Sequence, residues 1–160
     1  MRNKIFRRAG LGAALFLLTS VAPKVQAAQC SLAGVSGKYG FTLTGTVILP
    51  TGAAAIAAVG EATVDGKGSV TGTEARSVGG EYADETMQGT LTVKADCTGS
   101  MTLNFYEAGQ LVRTSILSLV FDNNQREVRM VQKSLQLPNG EFLPVVITVE
   151  GKKTFSEDED

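Results

Sequence analysis

The 160 residues carry 15 basic and 16 acidic side chains, 43% hydrophobic residues, 18 glycines, two cysteines, and neither His nor Trp. The length fits one domain, and 19% charged residues is too few for a disordered chain. Without His there is no Ser-His-Asp triad or Cys-His dyad, and almost no common zinc site. A pI near 5.5 with no basic cluster in the body excludes nucleic acid as an expected partner.

Residues 1–27 read as a secretory signal peptide. Arg2, Lys4, Arg7 and Arg8 form a positive start, Ala9 to Val21 is apolar, and Val25-Gln26-Ala27 places small residues at a cleavage site. The apolar run is too short to span a membrane, so no membrane span is expected after cleavage. Gln29 before Cys30 does not fit a lipoprotein signal. Arg7-Arg8 hints at twin-arginine export, but the Ala-Gly-Leu that follows fits general secretion better. The expected location is periplasmic or extracellular. Removing five basic residues with the leader leaves 10 basic and 16 acidic side chains. Residues 28–152 are expected to form the domain, and 153–160, ending Glu157-Asp158-Glu159-Asp160, an acidic disordered tail. In an oxidising compartment, Cys30 and Cys97 read as one disulfide.

Eight strand-like runs follow, with no convincing helix. In 37–49, Tyr39, Phe41, Leu43, Val47 and Leu49 alternate with polar residues. In 54–64, Ile56, Ala58, Ala62 and Val64 share a parity. Asp65-Gly66-Lys67-Gly68 is a hairpin signal into 69–77. Gly79-Gly80 opens a loop to about 84. Run 85–95 places Met87, Leu91 and Val93 together, and 100–106 does so for Met101, Leu103 and Phe105. Runs 110–121, 126–137 and 141–150 follow the turns at 107–109, 122–124 and 138–140. Short links make antiparallel neighbours. The pattern predicts an all-β, up-and-down, eight-stranded antiparallel barrel, with a two-sheet β-sandwich as the alternative.

Two runs break the apolar pattern. Glu74 and Arg76 share the face of Val70 and Gly72, and Arg113 shares the face of Leu117 and Phe121. If those faces point inward, the charges must pair. Glu74 with Arg113 is the expected pair and the candidate catalytic one. As a potential glycosidase couple, Glu61, Glu74 and Glu85 read instead as solvated carboxylates. The spacing around Gly66-Lys67-Gly68 does not make a phosphate loop. No motif asks for a metal or a cofactor. The sixth run also carries Val112, Ile116 and Val120 on its other face, a surface for the N-terminal segment or a second copy, so a homo-oligomer is compatible with the pattern.

Gly37-Lys38-Tyr39-Gly40-Phe41, then Ala58-Val59-Gly60 with Val64 to Gly72, then Asp96-Cys97-Thr98-Gly99-Ser100 resemble small exported bacterial proteins with an allene-oxide-cyclase-like, calycin-type barrel. The resemblance covers nearly the whole chain after the leader and rests mostly on turn glycines. It implies an interior that either carries a small apolar molecule or cyclises a lipid-like or polyketide-like substrate without a cofactor. No catalytic residue carries over. The expected lining is Tyr39, Phe41, Leu43, Met87, Leu91, Leu103, Phe105, Leu117 and Phe121, with Tyr39 offering a hydrogen bond at one end. Interior Ala58, Ala62, Gly60, Gly72 and Gly89 are expected to leave room. A filled barrel with a structural role in the envelope is the remaining alternative.

Overall fold

Period-two alternation carries nearly all of the structure, a computed structural model that describes residues 29–154. The predicted leader and the acidic run 157–160 lie outside the described residues. The elements are α1 (Leu32–Val35), β1 (Gly37–Leu49), β2 (Gly52–Val64), β3 (Ser69–Val78), β4 (Glu81–Val93), β5 (Thr98–Glu107), β6 (Gln110–Asp122), β7 (Glu127–Gln136), β8 (Phe142–Leu143) and β9 (Val145–Lys153). Consecutive strands from β1 to β7 pair antiparallel, and β9 pairs with both β7 and β1. That last strand closes the ring. The result is the expected eight-stranded barrel, not the sandwich, with β8 as a short addition on β7.

Three boundaries differ from the sequence reading. Gly79 and Gly80 (φ +58° and +96°) make a two-residue hairpin turn, so β4 begins at Glu81 and no loop runs to 84. The eighth run is split at Pro144, which has no N–H for a ladder; its carbonyl accepts from Ile48 N at 2.9 Å. Lys153, placed by composition in the tail, is the last residue of β9.

The barrel has two unlike ends. At the base, the turns after β2, β4 and β6 meet the N-terminal segment. Cys30 bonds to Cys97 with Cα atoms 4.9 Å apart, as expected, and its N–H reaches Ala95 O. Ser31 caps α1 by accepting from Gly34 N. Val35 is fully buried and Leu32 packs against Gly68, so α1 is a plug. Gln125, at φ +66° in the β6–β7 turn, holds it by accepting from Ser31 N at 3.2 Å. Lys153 Nζ donates to Gly34 O at 2.8 Å, and partial burial holds this amine below its ordinary pKa. The opposite end, the mouth, carries the hairpins at 50–51, 79–80, 108–109 and 137–141, and no helix among the described residues crosses it. The plug covers the base and not the outer face of β6, where Ile116 and Val120 stay over a third exposed.

The interior glycines do not leave room. A Cβ on Gly60 would lie 2.2 Å from Thr73 O and 2.7 Å from Phe41 Cζ. One on Gly72 would meet Met87 Cε at 2.5 Å. Phe41 and Met87 already occupy the space, and the glycines let strands and rings approach closely. At Gly89 the obstacle is backbone, with Thr102 O 1.9 Å from the position of an added Cβ. Gly89→Ala is therefore expected to cost about 1–3 kcal/mol of stability or more, read as a lowered urea midpoint. An unchanged midpoint would mean the β4–β5 ladder relaxes freely.

Candidate ligand site in the barrel

β3, β4 and β6 each turn one or two charged side chains inward near the mouth. The same alternation that buries Val70 and Leu117 also buries Glu74, Glu85 and Arg113. Arg113 Nη2 donates to Glu74 Oε1 at 2.6 Å, and its Nη1 donates to Glu85 Oε2. Arg76 Nε donates to Glu85 Oε1 at 2.8 Å, and its Nη2 lies 2.7 Å from the same oxygen in an ion pair. The Arg113 guanidinium also lies 3.8 Å above the Phe105 ring, a cation–π contact in a desolvated setting. The expected Glu74–Arg113 pair thus forms within a four-membered cluster. Glu85 is not a solvated carboxylate as expected: the short β3–β4 hairpin puts it in register with Glu74. Glu61 is exposed and belongs to no such pair.

The two carboxyls are pushed apart. Burial is the largest influence on Glu74 and raises its pKa, because Arg113 alone offsets it only in part and Glu85 adds repulsion. Burial also raises Glu85, but the hydrogen bonds and charges of Arg76 and Arg113 outweigh it and hold this carboxyl below its ordinary value.

Two cavities lie on either side of this cluster. The inner one, about 60 Å³, is lined almost wholly by apolar side chains, with Glu74, Arg113, Ser115 and Gln132 as its polar members. The outer one, about 160 Å³, is a cup at the mouth with walls of Val47, Leu49, Val78, Leu137 and Leu143. Arg76, Glu85 and Arg113 line the cup. Ile56, Arg113 and Leu135 line both spaces and form the partition.

Of the expected lining, Tyr39, Phe41, Leu43, Met87, Leu103, Phe105, Leu117 and Phe121 face the inner cavity. Leu91 does not. It is buried beside the base, where its N–H donates to Gly68 O. Tyr39 faces the cavity, but its hydroxyl donates to Val35 O at 2.6 Å and is committed to the plug; burial raises its pKa. Sequence reasoning did not reach Gln132, whose Nε2 donates to Ser115 Oγ at 2.9 Å. Its parity is hidden by the β7 register shift opposite Ile116 and Leu117, which turns Val128, Met130, Gln132 and then Leu135 inward. No group of three His, Cys, Asp or Glu that could hold a metal occurs among the described residues. Among those residues, no helix is long and apolar enough to cross a membrane.

Fold and site together define a small closed β-barrel with a largely apolar interior and a buried ion cluster below its open end. No family model and no curated protein matches the sequence. Solved barrels do match in structure. One, described as EF1p2_mFAP2b bound to DFHBI, is 9% identical over 78% of this chain and 100% of its own, with a TM-score of 0.55. Another, a redesigned beta barrel, mFAP1, bound to DFHBI, is 14% identical over 77% and 98%, with a TM-score of 0.50. At such identities the likeness is one of fold.

Proposed function

We propose that this barrel binds a small, largely apolar molecule admitted through its mouth. The observation that carries the reading is the pair of apolar-walled cavities separated only by Arg113, Ile56 and Leu135. The similar barrels bound to DFHBI support it, since they place a small molecule on the same architecture. Size limits the occupant. Pockets for drug-sized ligands run to about 300–1,000 Å³, and both spaces here are smaller. A compact molecule fits without rearrangement; a long acyl chain does not. Export is part of the proposal: the disulfide suits a non-reducing compartment, and residues 1–27 have the pattern of a leader.

The test is native mass spectrometry of the protein purified from its own host, with an organic extract of the same sample run in parallel. A stoichiometric small apolar adduct is expected. A bare mass, unchanged by a library of compact apolar compounds, would leave the filled structural barrel instead.

A second reading has one observation in its favour. Glu74, raised in pKa, faces the inner cavity while Glu85, lowered, stays ionised behind Arg113. Carboxyls driven apart in this way suit proton transfer during a cofactor-free isomerisation, the activity implied by the resemblance to allene-oxide-cyclase-like barrels. Turnover of any co-purified compound should then fall about 100-fold or more in Glu74→Gln. Undiminished turnover would remove Glu74 from such a scheme.

A further inference from the structure

The cup and the inner cavity differ in chemistry, and the cup has an unanswered donor. Arg76 spends Nε and Nη2 on a single oxygen of Glu85, and its Nη1 has no partner among the described residues. Its side chain is 17% exposed, against 9% for Arg113 and 0% for Glu85. Arg76 is therefore the cluster member most open to an incoming molecule. Arg76, Arg113 and Glu85 line the cup. With Glu74 the cluster holds two guanidiniums against two carboxyls, so what the cup offers is the exposed edge of Arg76 and not a net charge. Glu74 meets Arg113 from the inner side and lines the inner cavity, not the cup. Above this floor the walls are Val and Leu, which offer nothing polar to bind. An apolar funnel ending on a guanidinium with a free N–H edge fits one acceptor group at one end of an apolar body.

We infer that the cup is a receptor for a compact monocarboxylic acid, its carboxylate on Arg76 Nη1 and its ring or branched alkyl group against Leu49, Val78 and Leu143. This rests on the reading of the barrel as a small-molecule binder and adds the class of ligand. One carboxylate meets the exposed edge of Arg76; the second charge of a dianion would fall against Glu85. The volume of about 160 Å³ sets the size of the body. An engineered apolar cavity of about 150 Å³ in another protein takes benzene, so one six-membered ring fits. The inner cavity lies beyond the partition, and the ligand need not cross it.

Isothermal titration of the full barrel with benzoate and cyclohexanecarboxylate, beside benzamide and cyclohexanecarboxamide, tests this. The acids should bind about tenfold tighter than the amides, since a charge-assisted hydrogen bond replaces a neutral one. In Arg76→Gln that preference should vanish while amide binding persists. Because Arg76 also holds Glu85, a direct measurement on the unaltered protein is needed. Benzoate should shift the NMR signal of Arg76 Nε–Hε and leave exposed Arg129 unmoved. Equal binding of acids and amides overturns the carboxylate and leaves the barrel reading standing. A preference for acids that survives Arg76→Gln, with the Arg76 signal unmoved, overturns the site. If the acids, the amides and toluene all fail to bind, both readings fall.

Discussion

Arg113→Met should lower the stability of the barrel by about 3–5 kcal/mol, the usual cost of leaving a buried charge without its partner. The guanidinium stands between two carboxylates whose side chains are 1% and 0% exposed. Removing it leaves Glu74 with no cation and Glu85 with Arg76 alone. The contact with Phe105 goes as well. Urea unfolding followed by circular dichroism checks this. Adding Glu74→Gln and Glu85→Gln to Arg113→Met should restore much of the loss, because apolar or neutral replacements of a buried ion cluster are often tolerated when all partners change together. An unchanged midpoint in Arg113→Met would mean that water reaches the cluster.

The two acids should answer differently to pH. Glu74 has a raised folded-state pKa, so its contribution is full below the ordinary value of 4.5 and is lost as pH rises through the raised value. Glu85 has a lowered pKa, so its contribution is full above 4.5 and is lost as pH falls through the lowered value. Glu85→Gln should therefore cost most at neutral pH and flatten the acid limb of the stability profile. Glu74→Gln should cost least at neutral pH and remove the decline on the alkaline side. Midpoints measured from pH 3 to 8 separate the two; parallel profiles for both variants would contradict the opposed shifts.

Reducing the Cys30–Cys97 bond, or replacing both cysteines by Ser, should remove about 4 kcal/mol on the chain-entropy account. The bond closes a loop with a sequence separation of 67, so it restrains much of the unfolded chain. The native state changes too, because Cys30 anchors the segment that carries Val35 into the base. The other ties of that segment include Cys30 N–H to Ala95 O, Ser31 N–H to Gln125 Oε1, Tyr39 O–H to Val35 O and Lys153 Nζ to Gly34 O, with Val35 and Leu32 packed into the base. Faster amide exchange should therefore appear first at residues 30–36, with the β1–β2 ladder protected until global unfolding. An unfolding midpoint unmoved by reductant would show that the plug and the core suffice without the crosslink.

What the sequence disclosed followed from strict alternation. Tyr39 to Leu49, Val70 to Arg76 and Arg113 to Phe121 keep one parity throughout, so their inward faces, charges included, were legible residue by residue. Glu85 shares the parity of Met87 and Leu91, but as the first residue of the expected run 85–95 it reads as a solvated carboxylate at a strand end, whereas β4 starts four residues earlier and carries it inside. Tyr82 points outward and is 65% exposed while the small Ala83 points inward, so 81–84 reads as a polar loop and the strand before Glu85 goes unseen. Gln132 was hidden by a register shift, which no count of alternating residues can locate. The glycines misled for a further reason. A missing side chain looks like empty volume in a sequence, but the neighbouring strand or a long side chain from elsewhere had already moved in.

The plugged base has a consequence for how the molecule can be held. Cys30 lies against Ala95, and Thr154 N donates to Lys38 O, so both ends of the described chain leave from the same pole. A tether, a fusion partner or a solid support attached at either end pulls on that pole. The opening then faces away from the attachment, and an immobilised layer of these barrels would present every mouth to the passing solution.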